Sequence, residues 1–495
     1  ANVTASYNAL SGDVLIVSQN ALFADKDAGI YKPVNVSGIS ISGADASNYA
    51  LVWTSTIARA DITPKVLTIT GFQVADKTYD GTTNVAVTNW GQVNTGVGSE
   101  TLSLNHGLAA FDSANAGNRT VQVGSYSLAN GGYGGLASNY LLSGTSASAN
   151  ATISKAELKV VANNDAKFYG LADTSGYYGV TYAGFVSGES AANLTTAPTV
   201  TRSNSSTQTA GTYTGVLVPA GGAATNYSLS YVNGNYTIVP AGQLLVRLAN
   251  TSTVYGSAPT YTVTEAKYLK NDNTTQIDLL SAAGASATAS SAGQVSVTDT
   301  NGTSATFNAT AVNGTYSTSG WLNVGSYQWG ASNVVLSGGN NFSGTVTVVG
   351  SEAVTVKSIT PAPTISKVYD GSTTIAALSG TPAGVVTGDV VTLNGAGTYA
   401  NKNAATGKTY TLTNLALTGT DAANYSLSTG ASMTATNGVI TAKAITVTGI
   451  AANDKVYDGV NTATMNVSGA VFNGMVAGDA LTVAATGTFG SANVA

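Results

Sequence analysis

The chain has 495 residues, with 24 acidic and 19 basic side chains, a net charge of -5, one histidine and no cysteine. That length exceeds one ordinary domain, and its mild acidity offers no basic stripe to neutralise phosphates, which excludes a nucleic-acid partner. Disulfides and thiolate metal sites are ruled out, and a lone His106, in a surface turn, cannot build a histidine relay or a histidine metal centre.

Hydrophobic residues make up 43% of the chain but charged residues only 9%, against about 25% in an average soluble protein. The surface is therefore neutral and rich in small side chains, with enough apolar material for several cores. No apolar run reaches the roughly 18 residues of a membrane span, so no membrane insertion is expected of this stretch. Short Val, Ile, Thr and Tyr runs alternate with polar residues and are broken by Gly, Asn or Asp, which predicts antiparallel β-sandwiches throughout.

In chain order, residues 1–63 open with ANVTASYNALSGDVL, which aligns with MNVSGAVFNGMVAGDAL (465–481) and reads as a repeat lacking its first strand. It continues through AGIYKPVNV and GADASNYAL (43–51) to a seam at ITPKVLTIT (62–70). Residues 64–156 form a second repeat that opens on DKTYDGTTN (76–84), carries LASNYLL (136–142) and closes at ISKAELKVV (153–161). A third, 157–240, has AKFYGL (166–171), AGTYTGVLV and AATNYSL (223–229), with SGESAANL (187–194) as a single helical turn.

The fourth repeat, 241–362, opens on STVYGS (252–257) and is longer than its neighbours. Its stretch 265–286 predicts a short helix: Asn273 or Thr274 caps it, Ile277, Leu279 and Leu280 are apolar, and Gly284 ends it. Trp321 and Trp329 lie near this insertion; a polysaccharide would stack on them, or both complete a larger core. The fifth repeat, 363–442, carries SKVYDGSTT (366–374) and GTDAANYSL (419–427). The sixth, 443–495, carries DKVYDGVNT (454–462) and lacks its second half, so both ends read as cut within a repeat.

Two phrases thus recur in register at a domain-sized spacing. In Tyr-(Asp)-Gly, the glycine supplies positive φ, and Asp80, Asp370 and Asp458 accept from turn N–H groups. The tyrosine packs its ring in a core and caps backbone at the sandwich rim with its hydroxyl, while Lys77 lies along the rim with its ammonium in water. In Asn-Tyr-x-Leu, the asparagine takes a left-handed turn, and Tyr and Leu share the core face. A ligand site repeated once per unit, gripping a sugar or calcium, is the other reading. The phrases recur between loops that differ, which favours a folding role.

These phrases resemble the YDG and MBG repeats of very large bacterial surface and biofilm-matrix adhesins, many of them filamentous-haemagglutinin-like proteins exported by two-partner secretion. The resemblance covers essentially the whole chain: 64–156, 363–442 and 443 onward look like the YDG type, 157–240 and 241–362 like the YG type. It implies an all-β, elongated tandem array of small sandwich-like domains, Ig-like or β-grasp-like, serving as an extracellular stalk of a Gram-negative bacterium. It also implies an outer-membrane secretion partner. Exopolysaccharide, or other copies of the adhesin meeting through edge strands, are the partners to consider. No cofactor or metal site is expected, since GxSxG, HExxH, Walker and calcium-loop patterns are absent, and no enzymatic activity is expected.

Overall fold

A computed structural model describes residues 5–361 and 363–493. The first four and last two residues, on which the reading of both ends partly rests, lie outside the described residues. The chain divides into two compact units, one of residues 1–76, 87–113 and 118–152, the other of residues 77–86, 114–117 and 153–495.

The first unit begins with a three-stranded sheet, Ile16–Phe23, Gly29–Ser42 and Thr56–Ile62. Exposure alternates along Ile16–Phe23, and Val34 and Val36 are buried on one face, the period-two signature of a strand with one face in a core. Further on, Lys65–Leu67 pairs in parallel with Tyr140–Leu142.

Three repeats of the second unit share one topology. The opening strand runs parallel to a late one: Ala156–Ala162 with Tyr227–Val232, Leu244–Leu248 with Val346–Val349, and Lys357–Ile359 with Tyr425–Leu427. The next strand, which carries the tyrosine phrase, runs parallel to the closing strand: Asp165–Phe168 with Gly234–Val239, Thr251–Val254 with Ser351–Thr355, and Ser366–Val368 with Met433–Thr441. The closing strand then pairs antiparallel with a long central one, Gly211–Ala223, Gly325–Ser337 or Ala405–Thr418. A purely antiparallel sandwich is therefore corrected to a mixed one. Parallel neighbours require a long crossover, and here the body of each repeat supplies it. The fifth repeat opens at Lys357, ahead of residue 363.

Each of these repeats encloses its own apolar cluster. One gathers Val200, Leu217, Tyr236 and Ile238, another Leu244, Val246, Phe307 and Trp329, a third Ile375, Leu393, Leu412 and Ile440.

The helix expected in the fourth repeat is not formed. Val263–Leu269 pairs antiparallel with both Leu244–Leu248 and Gln276–Asp278, and the chain reverses between them. The cause is local: the Asp272 carboxylate accepts from the Thr274 and Thr275 N–H groups at 2.8 Å each, and Asn273 takes φ 59°. An aspartate that ties the following N–H groups into a turn withholds them from a helix. Helical structure among the described residues amounts to four 3-10 turns, Ala46–Asn48, Ala137–Asn139, Ala191–Asn193 and Ala422–Asn424. Ala191–Asn193 is the single turn expected in SGESAANL, closed by a Ser190 and Asn193 capping box. No helix among the described residues is long and apolar enough to cross a membrane.

Candidate functional site at the repeat junctions

The Tyr-(Asp)-Gly phrase begins where its strand ends. In four copies the tyrosine N–H makes the last bond to the closing strand, Tyr79 to Ser154 at 2.8 Å, Tyr169 to Val239 at 2.9 Å, Tyr255 to Thr355 at 2.9 Å and Tyr369 to Thr441 at 2.8 Å. The chain then turns at the aspartate, whose carboxylate accepts from the N–H two residues on: Thr82 at 2.9 Å, Ser372 at 2.9 Å and Val460 at 3.1 Å. The three aspartates are turn formers, as their spacing implied.

The lysine of the phrase does not stand in water. Lys77 donates to the Asp80 carboxylate at 2.6 Å and to the Thr82 carbonyl at 2.6 Å. Lys367 bonds Asp370 and the Ser372 carbonyl in the same way, and Lys455 bonds Asp458 and the Val460 carbonyl. The turn folds back over the strand, which puts a carboxylate and a carbonyl within reach of the ammonium. Asp370 is thereby held low, to about 2, by the Lys367 hydrogen bond first and the Ser372 N–H second.

The tyrosine hydroxyl does not cap backbone. It reaches an acidic side chain of the next repeat: Tyr79 donates to Glu189, Tyr255 to Asp389 at 2.6 Å and Tyr369 to Asp479 at 2.9 Å. Each acid ends a four-residue turn, Val186 to Glu189, Val386 to Asp389 and Val476 to Asp479, closed by the acid's N–H to the valine carbonyl at 2.9, 3.0 and 3.1 Å. The tyrosine of Asn-Tyr in that next repeat completes the arrangement. Tyr227 donates to Glu189 and accepts from the Val186 N–H at 3.0 Å; Tyr425 donates to Asp389 at 2.5 Å and accepts from the Val386 N–H at 2.9 Å. The paired rings meet edge to face, Tyr79 with Tyr227 at 5.5 Å and Tyr255 with Tyr425 at 5.3 Å, an arrangement worth roughly 0.5 to 1.5 kcal/mol beyond burial.

The glycine of the phrase lies against the valine. A Cβ added to Gly81 would meet Val186 Cγ1 at 3.2 Å, one on Gly256 would meet Val386 Cγ2 at 2.7 Å, and one on Gly371 would meet Val476 Cγ1 at 2.7 Å. All three glycines have φ between 77° and 80°. The position thus combines a left-handed backbone with a close approach, which only glycine meets without strain.

Asparagine of Asn-Tyr also reaches backward. Its side-chain oxygen accepts from a backbone N–H of the preceding repeat: Asn139 from Ala28 at 2.7 Å, Asn226 from Ala116 at 3.0 Å and Asn424 from Val324 at 2.9 Å. The side-chain nitrogens of Asn226 and Asn424 donate to Asn115 and Asn323. Asn139 and Asn424 close 3-10 turns and keep negative φ, which corrects the left-handed conformation expected of them. A lysine near the same turn adds a charge: Lys26 pairs with Glu100, and Lys402 with Asp479 at 3.4 Å.

These contacts set the electrostatics. Burial, then the hydrogen bond to Glu189, pushes the Tyr79 phenol up to about 12, and the same causes raise Tyr227 further. Tyr255 and Tyr425 are raised by burial and by Asp389. Burial alone would lift Asp389, but the hydrogen bonds from Ser319, Tyr255 and Tyr425 outweigh it and hold the carboxyl below its usual range. The phenols stay protonated as donors and Asp389 stays ionised as acceptor. Each such charge-assisted bond is worth about 1.5 to 3 kcal/mol.

The third and fourth repeats are joined differently. Ala166, Phe168 and Val239 share one apolar cluster with Leu245, Leu269 and Val349, and Arg247 donates to the buried Asp165 at 2.5 Å. Burial raises Asp165 although Arg247 opposes it. Tyr169 meets no acidic turn here and is 44% exposed, whereas Tyr79 is 7% and Tyr255 1% exposed.

The two candidate sugar-stacking residues fall in different cores. Trp329 is 3% exposed and packs on Tyr261 with ring centroids 5.1 Å apart. Trp321 is half-buried against the cluster of Tyr255 and Tyr425. His106 is exposed and stacks on Trp90 at 3.6 Å. Among the described residues no group of three or more His, Asp or Glu side chains is placed to hold a metal ion.

The acids of the junction were not singled out from sequence. Their signal is a Val or Leu, two small residues and an acid, at Leu10 to Asp13, Val97 to Glu100, Val186 to Glu189, Val386 to Asp389 and Val476 to Asp479. Asp and Glu exchange within it, and the Tyr-Gly tyrosine that Glu189, Asp389 and Asp479 each accept from lies in the preceding repeat.

Comparison with curated proteins gave no match. The YDG domain family matches residues 1–58, 63–149, 351–435 and 441–495, and the MBG domain (YGX type) matches residues 158–237. The YDG matches cover more than half of the chain and include each Tyr-Asp-Gly phrase whose turn has been described. The chain is a tandem repeat region that belongs to the YDG domain family, with an MBG domain inserted between its copies.

Proposed function

We propose that this region is a structural spacer of a secreted bacterial adhesin, which holds an adhesive end away from the cell surface in cell, surface or matrix attachment. One observation supports it above the others: the recurrent polar groups bond to the adjoining repeat. Tyr255, Asp389 and Tyr425 satisfy one another across one junction, as Tyr79, Glu189 and Tyr227 do across another. Such groups serve cohesion between neighbours, and a half-buried carboxylate already holding two phenols has little capacity for acid–base chemistry. On this reading the region has no catalytic role, works outside a Gram-negative cell and reaches the surface through an outer-membrane partner.

The test is the dependence of length on repeat number. Versions of the chain with one or two repeats duplicated are compared by small-angle scattering. Each added repeat should lengthen the particle by a constant increment, about 35 to 40 Å for a small sandwich of extended strands. A maximum dimension that does not grow with repeat number would defeat the proposal.

A further inference from the structure

The third repeat departs from its neighbours at the tip of its tyrosine phrase. Tyr169 is followed directly by Gly170 and Leu171, with no aspartate to tie the turn to the lysine. Lys167 reaches across to other partners instead: it pairs with Asp173 at 2.7 Å and donates to Gln208 at 2.5 Å. The fourth repeat docks through Arg247 and an apolar cluster, so the tip stays uncovered. The Tyr169 hydroxyl makes no bond among the described residues, and a Cβ on Gly170 would meet nothing within 4 Å.

The result is a groove of about 570 Å³, lined among others by Lys167, Tyr169, Leu171, Asp173, Ser205 and Gln208. Small-ligand sites occupy roughly 300 to 1,000 Å³. Its floor is a fixed polar network. The Asp173 carboxylate accepts from Arg202 at 3.0 and 3.1 Å, from Tyr236 at 3.2 Å and from Tyr177 at 3.3 Å, besides pairing with Lys167. The buried Arg202 side chain gives further donors to Asn204 and to the Thr207 carbonyl. Each charge of the floor therefore already has its partners within the repeat.

What stays open is uncharged. The Tyr169 and Ser205 hydroxyls are free among the described residues, and the Gln208 amide, which donates once to the Ser205 carbonyl, keeps a second hydrogen. Tyr169 and the 38% exposed Leu171 supply an apolar wall. A ring with an apolar face beside hydroxyl and amide groups suits a molecule that has a C–H face and a rim of hydroxyls.

We propose that this groove binds a neutral sugar ring of a glycan, with its C–H face on Tyr169 and its hydroxyls bonded to Ser205 and Gln208. The site is separate from Trp321 and Trp329, which pack against other apolar clusters. It adds to the spacer role and does not depend on it.

Saturation-transfer NMR on the whole 49.3 kDa chain tests this. The probes are neutral tetrasaccharides of glucose, mannose and galactose, with tetragalacturonate as the acidic counterpart. At least one neutral probe should receive saturation at its ring C–H protons, and titration gives its dissociation constant. Tyr169→Ala should weaken that binding by about tenfold or more, through loss of the ring and of one hydrogen bond. Ser205→Ala should weaken it by about two- to tenfold. Tyr133→Ala, at a tyrosine of the second repeat that is 80% exposed, should leave it unchanged. Circular dichroism matching the parent chain establishes that each variant is folded. Four results would each overturn the proposal: no neutral probe that binds, binding untouched by Tyr169→Ala, an equal loss with Tyr133→Ala, or a preference for the acidic probe.

Discussion

Tyr255 and Asp389 lie 134 positions apart in the chain, and the phenol of one donates to the carboxylate of the other at 2.6 Å. Tyr425 donates to the same carboxylate oxygen at 2.5 Å, and the Val386 N–H in turn donates to Tyr425. One ionised carboxylate thereby organises two aromatic rings and a backbone turn. Its removal should matter more than the loss of either ring's hydroxyl.

Tyr255→Phe keeps the ring contact and deletes one charge-assisted bond. A loss of about 1.5 to 3 kcal/mol is expected. Hydrogen exchange followed by mass spectrometry should place the lost protection at Val386, Asp389 and the strand Tyr425–Leu427, with the third repeat unchanged. Asp389→Ala strands two buried phenols and should cost more than Tyr255→Phe in the same experiment.

Gly256→Ala and Gly459→Ala separate backbone strain from contact. Both glycines have φ near 80°, so either alanine pays about 1 to 2 kcal/mol for the left-handed conformation. Only at Gly256 does the new methyl carbon also meet Val386, at 2.7 Å. Denaturant titration should find Gly256→Ala the costlier by about 1 kcal/mol or more. Equal costs would show that the valine contact carries no weight.

Asn424 is buried, accepts from Val324 at 2.9 Å and donates to Asn323 at 2.8 Å. Asn424→Ala leaves a backbone N–H of the fourth repeat without its acceptor. A cost of about 1 to 3 kcal/mol is expected, with faster exchange at Val324 as the marker. Asn424→Asp, which keeps an acceptor oxygen, should restore protection at Val324 but not the Asn323 bond.

A junction should weaken at high pH and a Tyr-Asp-Gly turn at low pH. The Tyr79 phenol is raised from 10.0 to about 12 in the folded chain; a raised value stabilises the fold below the unfolded value and loses that contribution as pH climbs from 10 to 12. Asp370 is lowered from 3.8 to about 2, so its contribution is whole above 3.8 and disappears as pH falls toward 2. Phenolate absorbance with parallel circular dichroism should follow the alkaline limb, and Tyr79→Phe should remove part of it.

Much of the fold was legible because it is written in local signals. Alternating Val, Ile, Thr and Tyr runs marked the chain as β throughout, and the Asp-Gly pairs at 80–81, 370–371 and 458–459 identified turns. The stretch 265–286 misled because its apolar residues fit a helix as well as a hairpin. What decided between them was Asp272, whose short side chain captured two N–H groups. The junction was half legible. Tyrosine, glycine and asparagine were found as repeated letters, but each was assigned a role within its own repeat. Glu189, Asp389 and Asp479 could not be matched to their phenols from spacing alone, because the partner lies in another repeat and the third-to-fourth junction, built on Arg247 and an apolar cluster, breaks the pattern.

The closed junctions all point the same way: the tyrosine comes from the earlier repeat and the acid from the later one. The order is never reversed in these three contacts, so each repeat presents unlike faces to its two neighbours, a phenol and a glycine forward and a carboxylate and a valine backward. Polarity is thus built into the array, and a repeat joined the wrong way round would set phenol against phenol and acid against acid.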